Sequence, residues 1–117
     1  IYIANQNSDT VSVIDGTNNG VIATISVGAL PESVGINELT NRIYITNQNS
    51  NNVSVIDGTN NGVIATISVG SRPGSIVVNE LTNRIYIANQ NSDTVSVIDG
   101  TNNGVIATIS VGGIPFG

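Results

Sequence analysis

The side chains of this sequence that could act as general acids or bases are its carboxylates, because the chain of 117 residues contains neither His nor Cys. Ser–His–Asp and Cys–His arrangements are therefore excluded, and a zinc site would have to consist of carboxylates alone. The chain also lacks Lys, so it carries no glycine-rich phosphate loop with a Lys. We therefore predict no catalytic residue, no cofactor and no metal site, and thus that the protein is not an enzyme.

Three carboxylates recur at one position of the segment Ile-Asp-Gly-Thr-Asn-Asn-Gly, namely Asp15, Asp57 and Asp99. Such an oxygen-rich segment could bind calcium, but each copy offers one carboxylate and lacks the dense acidic spacing of calcium loops. The alternative is that each Asp accepts hydrogen bonds from the backbone that follows it and so stabilises a turn. We favour the turn.

Two further polar patterns have a local explanation. Glu38 with Arg42, and Glu80 with Arg84, flank the same short connection, and we predict a surface ion pair there rather than a ligand site. Asn52 begins the only clear Asn-x-Ser/Thr tripeptide, which makes it a possible glycosylation acceptor. Since the chain is rich in Asn, a chance occurrence is the favoured explanation.

Charge and hydropathy exclude two classes of partner. The formal net charge is −5, and Arg42, Arg72 and Arg84 cannot form the basic stripe that phosphate backbones require. No apolar run approaches the roughly 18–20 residues that span a bilayer. We therefore predict no nucleic-acid binding and no membrane span. The chain starts at Ile1 without Met or signal peptide, so we expect a processed product or an excerpt of a longer protein.

The chain is a tandem repeat with a period of 42 residues. Residues 1–28 recur at 43–70 and again at 85–112, and the middle copy differs from the other two at only three positions. Tyr2 and its equivalents therefore recur within apolar segments. We expect them to pack between repeats, with a stacking platform for sugars as the alternative.

Each period contains four strand-like runs, which in one period cover 33–37, 42–46, 53–56 and 63–69. These runs are rich in Val, Ile, Thr and Tyr, and the breaks between them are rich in Asn, Gly, Asp and Pro. Asn61–Gly62 predicts a tight hairpin. Four short antiparallel strands every 40–50 residues are typical of a β-propeller blade, so we predict an all-β propeller fold, with a sandwich or solenoid as alternatives.

Several segments resemble the YVTN repeat of archaeal surface-layer proteins and bacterial cell-surface proteins. They are residues 83–89, residues 94–99, and the blade end at 107–112 with Pro115, while the tetrapeptide at 44–47 reads Tyr-Ile-Thr-Asn. The resemblance covers essentially the whole chain. It implies propeller blades and an extracellular or cell-surface location, but it says little about function because propellers serve many functions.

The repeat divides the chain, as a single array over 1–117, into about 2.75 four-stranded blades. The boundaries are a partial blade at 1–30, blades at 31–72 and 73–114, and a segment at 115–117 that would start a further inner strand. Propellers usually close with about 4 to 8 blades. We therefore expect either self-association into a closed propeller or filament, or further blades of the same polypeptide.

Sequence variation concentrates where one period joins the next, at 28–33, 70–75 and 112–117. In a propeller these connections lie on one face, and loops on a rigid scaffold often carry binding diversity. Drift among duplicated repeats explains the variation equally well. The candidate interaction residues are Leu30, Pro31, Glu32, Arg72, Pro73, Ile114 and Phe116.

Three functional hypotheses remain open from the sequence. The favoured one is an extracellular or cell-surface scaffold, without enzymatic activity, that binds protein or glycan through its loops. The second is a fragment of a propeller lyase or hydrolase whose catalytic blades lie outside this chain. The third is an engineered or consensus-like repeat protein, which is suggested by the identical sequences of the first and third copies.

Overall fold

A computed structural model describes residues 1–117, and in it the chain forms eleven β-strands and no helix. It therefore has no helix that is long and apolar enough to cross a membrane. The strands are β1 (Tyr2–Asn5), β2 (Thr10–Ile14), β3 (Val21–Ser26), β4 (Pro31–Asn37), β5 (Arg42–Asn47), β6 (Asn52–Asp57), β7 (Gly62–Ser68), β8 (Pro73–Asn79), β9 (Arg84–Asn89), β10 (Thr94–Asp99) and β11 (Gly104–Ser110).

The strands form three antiparallel sheets in which each strand pairs with its neighbours along the chain. Blade 1 contains β1–β3, blade 2 contains β4–β7 and blade 3 contains β8–β11. The predicted all-β fold with four strands per period is confirmed, and each predicted run lies within two residues of a strand. Residues 115–117 form no strand, so a further inner strand at that point stays a prediction.

The loop between the third and fourth strands of a blade is longer than the predicted tight hairpin. Gly62 pairs with Asp57, so residues 58–61 form the connection. Asn61 has a positive φ of 58°, and its N–H donates to the carbonyl oxygen of Asp57 at 2.8 Å. The Asn-Gly pair thus marks the hairpin, but Asn rather than Gly adopts the left-handed conformation.

The core consists of two apolar clusters that lie between neighbouring blades. Since strand side chains alternate between the two faces of a sheet, the middle blade contributes to both clusters. Between blades 1 and 2 the buried residues are Val11, Val13, Ile25, Ile43, Ile45 and Ile56. Between blades 2 and 3 they are Tyr44, Val53, Val55, Ile67, Ile85, Ile87 and Ile98. The second set is the first set shifted by one period, with Tyr44 added.

The first strands of blades 2 and 3, β4 and β8, make the most extensive contact between the two sheets. A Cβ atom at Gly35 would lie 2.5 Å from Cγ2 of Ile76, a distance that side chains do not tolerate. Glycine is therefore required at position 35 because a side chain of the next blade occupies the adjacent space.

Two of the three repeated tyrosines, Tyr2 and Tyr44, pack between blades as predicted, whereas Tyr86 lies half-buried on the outer face of blade 3. Tyr44 is fully buried in the cluster between blades 2 and 3. The hydroxyl of Tyr2 crosses the other interface and donates to Oδ1 of Asn61 at 2.9 Å. The equivalent groups one period later, the Tyr44 hydroxyl and Oδ1 of Asn103, are both buried without a hydrogen-bond partner. The two interfaces thus share their apolar contacts but differ in this polar contact.

Candidate binding face

The connections between blades hold three residues in an unusual backbone conformation. Leu30, Arg72 and Ile114 occupy equivalent positions, one period apart, and have φ values of 54°, 54° and 52°. Positive φ is unfavourable for side chains that carry a Cβ atom, and most of all for a β-branched residue such as Ile114. Something in each connection must therefore stabilise this conformation.

The preceding blade supplies that stabilisation through one side chain of a loop, which lies between β1 and β2 in blade 1, β5 and β6 in blade 2, and β9 and β10 in blade 3. In each case a carboxylate or amide oxygen accepts the N–H of the left-handed residue. The pairs are Leu30 with Asp9 Oδ1 at 3.0 Å, Arg72 with Asn51 Oδ1 at 3.0 Å, and Ile114 with Asp93 Oδ1 at 2.9 Å. The connection therefore keeps one backbone geometry while its side chain varies.

The following blade holds the same connection from the other side. The N–H of Ala29 donates to Oγ of Ser50 at 2.7 Å, and the carbonyl oxygen of Leu30 accepts the N–H of Gln48 at 3.0 Å. Ser71 and Ser92 repeat the first of these contacts at the next connection, also at 2.7 Å. The connections between blades are thus fixed parts of the scaffold rather than free loops.

The structure divides the predicted interaction residues into exposed and buried groups. Arg72 is exposed, and Ile114 and Phe116 are exposed by 73% and 80% of their surfaces. Leu30 and Glu32 are half-buried. Pro31 and Pro73 are buried, since they begin β4 and β8 and pair with the second strands of their blades. The side chains available on this face, which we call the connection face, are therefore Leu30, Glu32, Arg72, Ile114 and Phe116.

A buried polar network at the base of this face was missed by the sequence analysis. Asn47 Nδ2 donates to Asn52 Oδ1 at 2.8 Å and to Ser54 Oγ at 2.9 Å. A Cβ atom on Gly28 would lie 2.7 Å from Asn47 Cγ, so glycine is required where the connection crosses this amide. The unchanged Asn and Gly in every period were the available signal. Asn52 is partly buried by this contact, and its glycosylation stays a prediction.

The recurring aspartates act in turns, as we favoured from the sequence. Oδ1 of Asp15, Asp57 and Asp99 accepts the N–H of the Thr two residues later, in each case at 2.9 Å. This bond to Thr59 is the main reason that the pKa of Asp57 is lowered from its ordinary value, with a smaller contribution from Arg42. No group of three His, Cys, Asp or Glu side chains is placed to hold a metal ion.

The predicted ion pairs within the connection at 38–42 and its equivalent are wrong. Arg42 pairs with Asp57 at 3.3 Å instead of Glu38, and Arg84 pairs with Asp99 at 3.2 Å instead of Glu80. The reason is the strand register, which places Arg42 directly opposite Asp57 on the neighbouring strand. Glu80 turns to the preceding blade, where its Oε1 accepts the backbone N–H of Glu38 at 3.0 Å.

No family model and no curated protein matches the chain. Among solved structures, hydrazine synthase of Kuenenia stuttgartiensis superimposes with a TM-score of 0.92 at 24% identity, over 97% of this chain and 33% of that chain. Apo AztD of Citrobacter koseri gives 0.78 at 21% identity, over 92% and 30%. The dihydro-heme d1 dehydrogenase NirN in complex with DHE gives 0.81 at 15% identity, over 92% and 23%.

These three neighbours are β-propeller proteins, so the predicted fold of partial propeller blades is confirmed. The chain spans a third or less of the length of each of them. The more specific YVTN resemblance is not confirmed, because no family model matches.

The prediction that the protein is not an enzyme must be corrected. Two of the similar structures are enzymes by name, a hydrazine synthase and a dehydrogenase, so this blade architecture occurs within enzymes. The absence of His and Cys from these 117 residues was therefore not sufficient ground to exclude an enzyme.

Proposed function

We propose that this blade array is a binding module that engages a protein ligand through the connection face. The observation that carries the proposal is the set Leu30, Arg72 and Ile114: three different side chains on one backbone geometry, each placed two residues after a 28-residue segment that is nearly identical in all three copies. Strained backbone conformations persist only where the surrounding structure enforces them, and they concentrate at functional sites. Here the preceding blade enforces the conformation through Asp9 and its equivalents.

The chemistry of the face favours a protein over a glycan. Leu30, Ile114 and Phe116 offer apolar surface, and Arg72 adds one planar cation that can bind a carboxylate in a bidentate manner. Arg and aromatic residues are the types enriched at the centres of protein interfaces. The tyrosines that would stack on sugars are at least partly buried, so they do not form an open platform.

A selection from a random peptide library on the 117-residue chain tests this proposal. We expect peptides that combine apolar residues with an acidic residue. Their binding should be lost in the variant L30S/R72S/I114S and retained in the matched variant L39S/L81S, which removes two exposed leucines of the loops at the other end of the strands. Peptides that bind both variants equally, or that lose binding only to L39S/L81S, would contradict the proposal. A glycan array run in parallel identifies a sugar ligand if the preference for protein is wrong.

An extracellular or cell-surface location is the second part of this proposal and is supported by the resemblance to YVTN repeats. The test is protease treatment of intact cells that express the natural protein, followed by immunodetection of the blade array. Loss of the array from intact cells is the expected result, and protection until the cells are lysed would refute this location.

A further inference from the structure

The two outer faces of the array carry the same residues that are buried at its internal interfaces. On blade 1 the free face presents Ile1, Ile3 and Ile14, which we call the N face. The equivalent residues of blade 3 are Ile85, Ile87 and Ile98. All three are fully buried against blade 2. The N face is thus a chemical copy of a surface that the structure shows in contact with a blade.

Blade 3 presents the complementary surface, which we call the C face, and it consists of Tyr86, Val95, Ile109 and Val111. In blade 2 the residues equivalent to Tyr86, Val95 and Ile109 are Tyr44, Val53 and Ile67, which are buried members of the cluster between blades 2 and 3. Val69, the equivalent of Val111, packs against that cluster. The C face and the N face are therefore the two halves of one interface, located at opposite ends of the array.

The exposed fractions show how much more surface these side chains expose on an outer face than at an internal interface. Ile3 is exposed by 45%, whereas the equivalent Ile45 is fully buried. Ile109 is exposed by 46%, whereas the equivalent Ile67 is exposed by 6%. Since burial of apolar surface stabilises an interface, pairing of the two faces gains the same kind of free energy as the internal interfaces.

Two local features match the C face to an incoming N face. A cleft of about 360 Å³ lies over Tyr86, Val95 and Val111, and it extends to the segment 115–117. At the internal interface the equivalent side chains Tyr44 and Val53 belong to the same apolar cluster as Ile85 and Ile87, and Val69 packs against that cluster. In addition, the Tyr2 hydroxyl of blade 1 donates a hydrogen bond to Asn61 of blade 2. Asn19 occupies in blade 1 the loop position that Asn61 occupies in blade 2, and it has the same left-handed conformation.

We propose that the C face of one copy of the chain binds the N face of a second copy, head to tail, through the apolar contacts that the equivalents of the N-face Ile residues make at the internal interfaces. The contact between β4 and β8 has no counterpart there, because blade 1 contains three strands and lacks the first. Asn19 of the second copy then accepts a hydrogen bond from the Tyr86 hydroxyl, as Asn61 accepts one from the Tyr2 hydroxyl. The contact is heterologous, so two copies form a closed ring of nearly six blades if the rotation per blade permits, and an open filament if it does not. The proposal does not rest on ligand binding at the connection face, with which the cleft over the C face shares Phe116.

The mass of the 117-residue chain in solution, measured by sedimentation velocity over the micromolar range, tests the proposal. We expect the unmodified chain to associate, with at least a doubling of mass. The variants I3E and I109E each destroy one face and should remain folded monomers, because both side chains are half-exposed in the isolated chain. If I3E fails to fold, Ile1→Glu tests the same face at a side chain that is exposed by 65%.

The matched control is I64E, which adds the same charge at an exposed Ile of the middle blade that lies outside both faces, and it should associate like the unmodified chain. An equimolar mixture of I3E and I109E retains one intact face of each kind, so it should form a one-to-one heterodimer and nothing larger. A monomeric unmodified chain, a mixture that stays monomeric, or an equal loss of association in I64E would overturn the proposal.

Discussion

The middle blade and blade 3 have nearly the same strand sequences but very different surroundings. Their fourth strands, β7 and β11, are identical in sequence, yet Ile67 is buried in the former and the equivalent Ile109 is half-exposed in the latter. The difference comes from the neighbour, because blade 2 is covered on both faces and blade 3 on one. Stability in this architecture is therefore a property of the interface between repeats more than of the repeat itself.

The two blades differ most in sequence in their first strands, which make the most extensive contact between the two sheets. Blade 2 has Val34-Gly35-Ile36 at the positions where blade 3 has Ile76-Val77-Val78. Gly35 leaves room for Ile76, whereas Val77 faces no further blade and is largely exposed. Outside the connections, the sequence thus varies where two blades must match in size.

The strongest test of this comparison removes the same side chain from both blades. Ile67→Ala should lower the free energy of unfolding by about 2–5 kcal/mol, because it leaves a cavity in a closed interface. Ile109→Ala should lower it by less than about 1 kcal/mol, as expected for a site away from a packed core. Urea denaturation at a protein concentration low enough to keep the chain monomeric measures both. Equal losses would show that the neighbour does not determine the contribution.

The size match between first strands predicts the next effect. Gly35→Val should destabilise the fold by about 1–3 kcal/mol, because the new side chain overlaps with Ile76. The reverse change, Val77→Gly, should cost no more than about 1 kcal/mol, mainly through the added freedom of the unfolded backbone. The double variant G35V/I76A supplies the control, since removal of the opposing side chain should recover part of the loss. No recovery in thermal melts would mean that Gly35 is needed for its backbone rather than for space.

The sequence was sufficient to predict the repeat, the four strands and the turn role of the aspartates, because these depend on residues within one period. It failed for Arg42, whose partner Asp57 is set by the register of neighbouring strands rather than by proximity along the chain. It also gave no sign that Leu30 and Ile114 would have positive φ, because the groups that hold them lie 21 residues away on another loop. Contacts between blades were thus the part that local patterns could not reveal.

A smaller effect distinguishes the polar contacts of the two interfaces. Tyr2→Phe removes a hydrogen bond to Asn61 and should cost about 0.5–1.5 kcal/mol. Tyr44→Phe removes a buried hydroxyl that has no partner, so the variant should be as stable as the unmodified chain or slightly more stable. Chemical denaturation of both variants decides the matter. A loss at Tyr44 as large as that at Tyr2 would indicate that the Tyr44 hydroxyl pairs with Asn103 in solution.

The smallest expected effect concerns acid stability and the cause of the lowered pKa of Asp57. A carboxyl group whose pKa is lowered by folding stabilises the protein above its unfolded pKa of about 3.9, and this contribution is lost as the pH falls through the folded value. Asp57→Asn should therefore reduce the melting temperature slightly at neutral pH. The difference from the unmodified chain should shrink as the pH falls below about 4 and vanish once the pH is below the lowered pKa of the folded state.

Arg42→Gln separates the two causes of this pKa shift. The Thr59 N–H lowers the pKa of Asp57 more than Arg42 does, so the variant Arg42→Gln should retain most of the dependence of its melting temperature on acid. The part of this dependence that comes from Arg42 should also be weakened in the unmodified chain by added salt, which screens the ion pair. Melting temperatures of the two variants at neutral and acidic pH, with and without added salt, provide the measurement. If Arg42→Gln abolishes the acid dependence as fully as Asp57→Asn, the ion pair across the strands, and not the turn, sets the protonation of this carboxyl group.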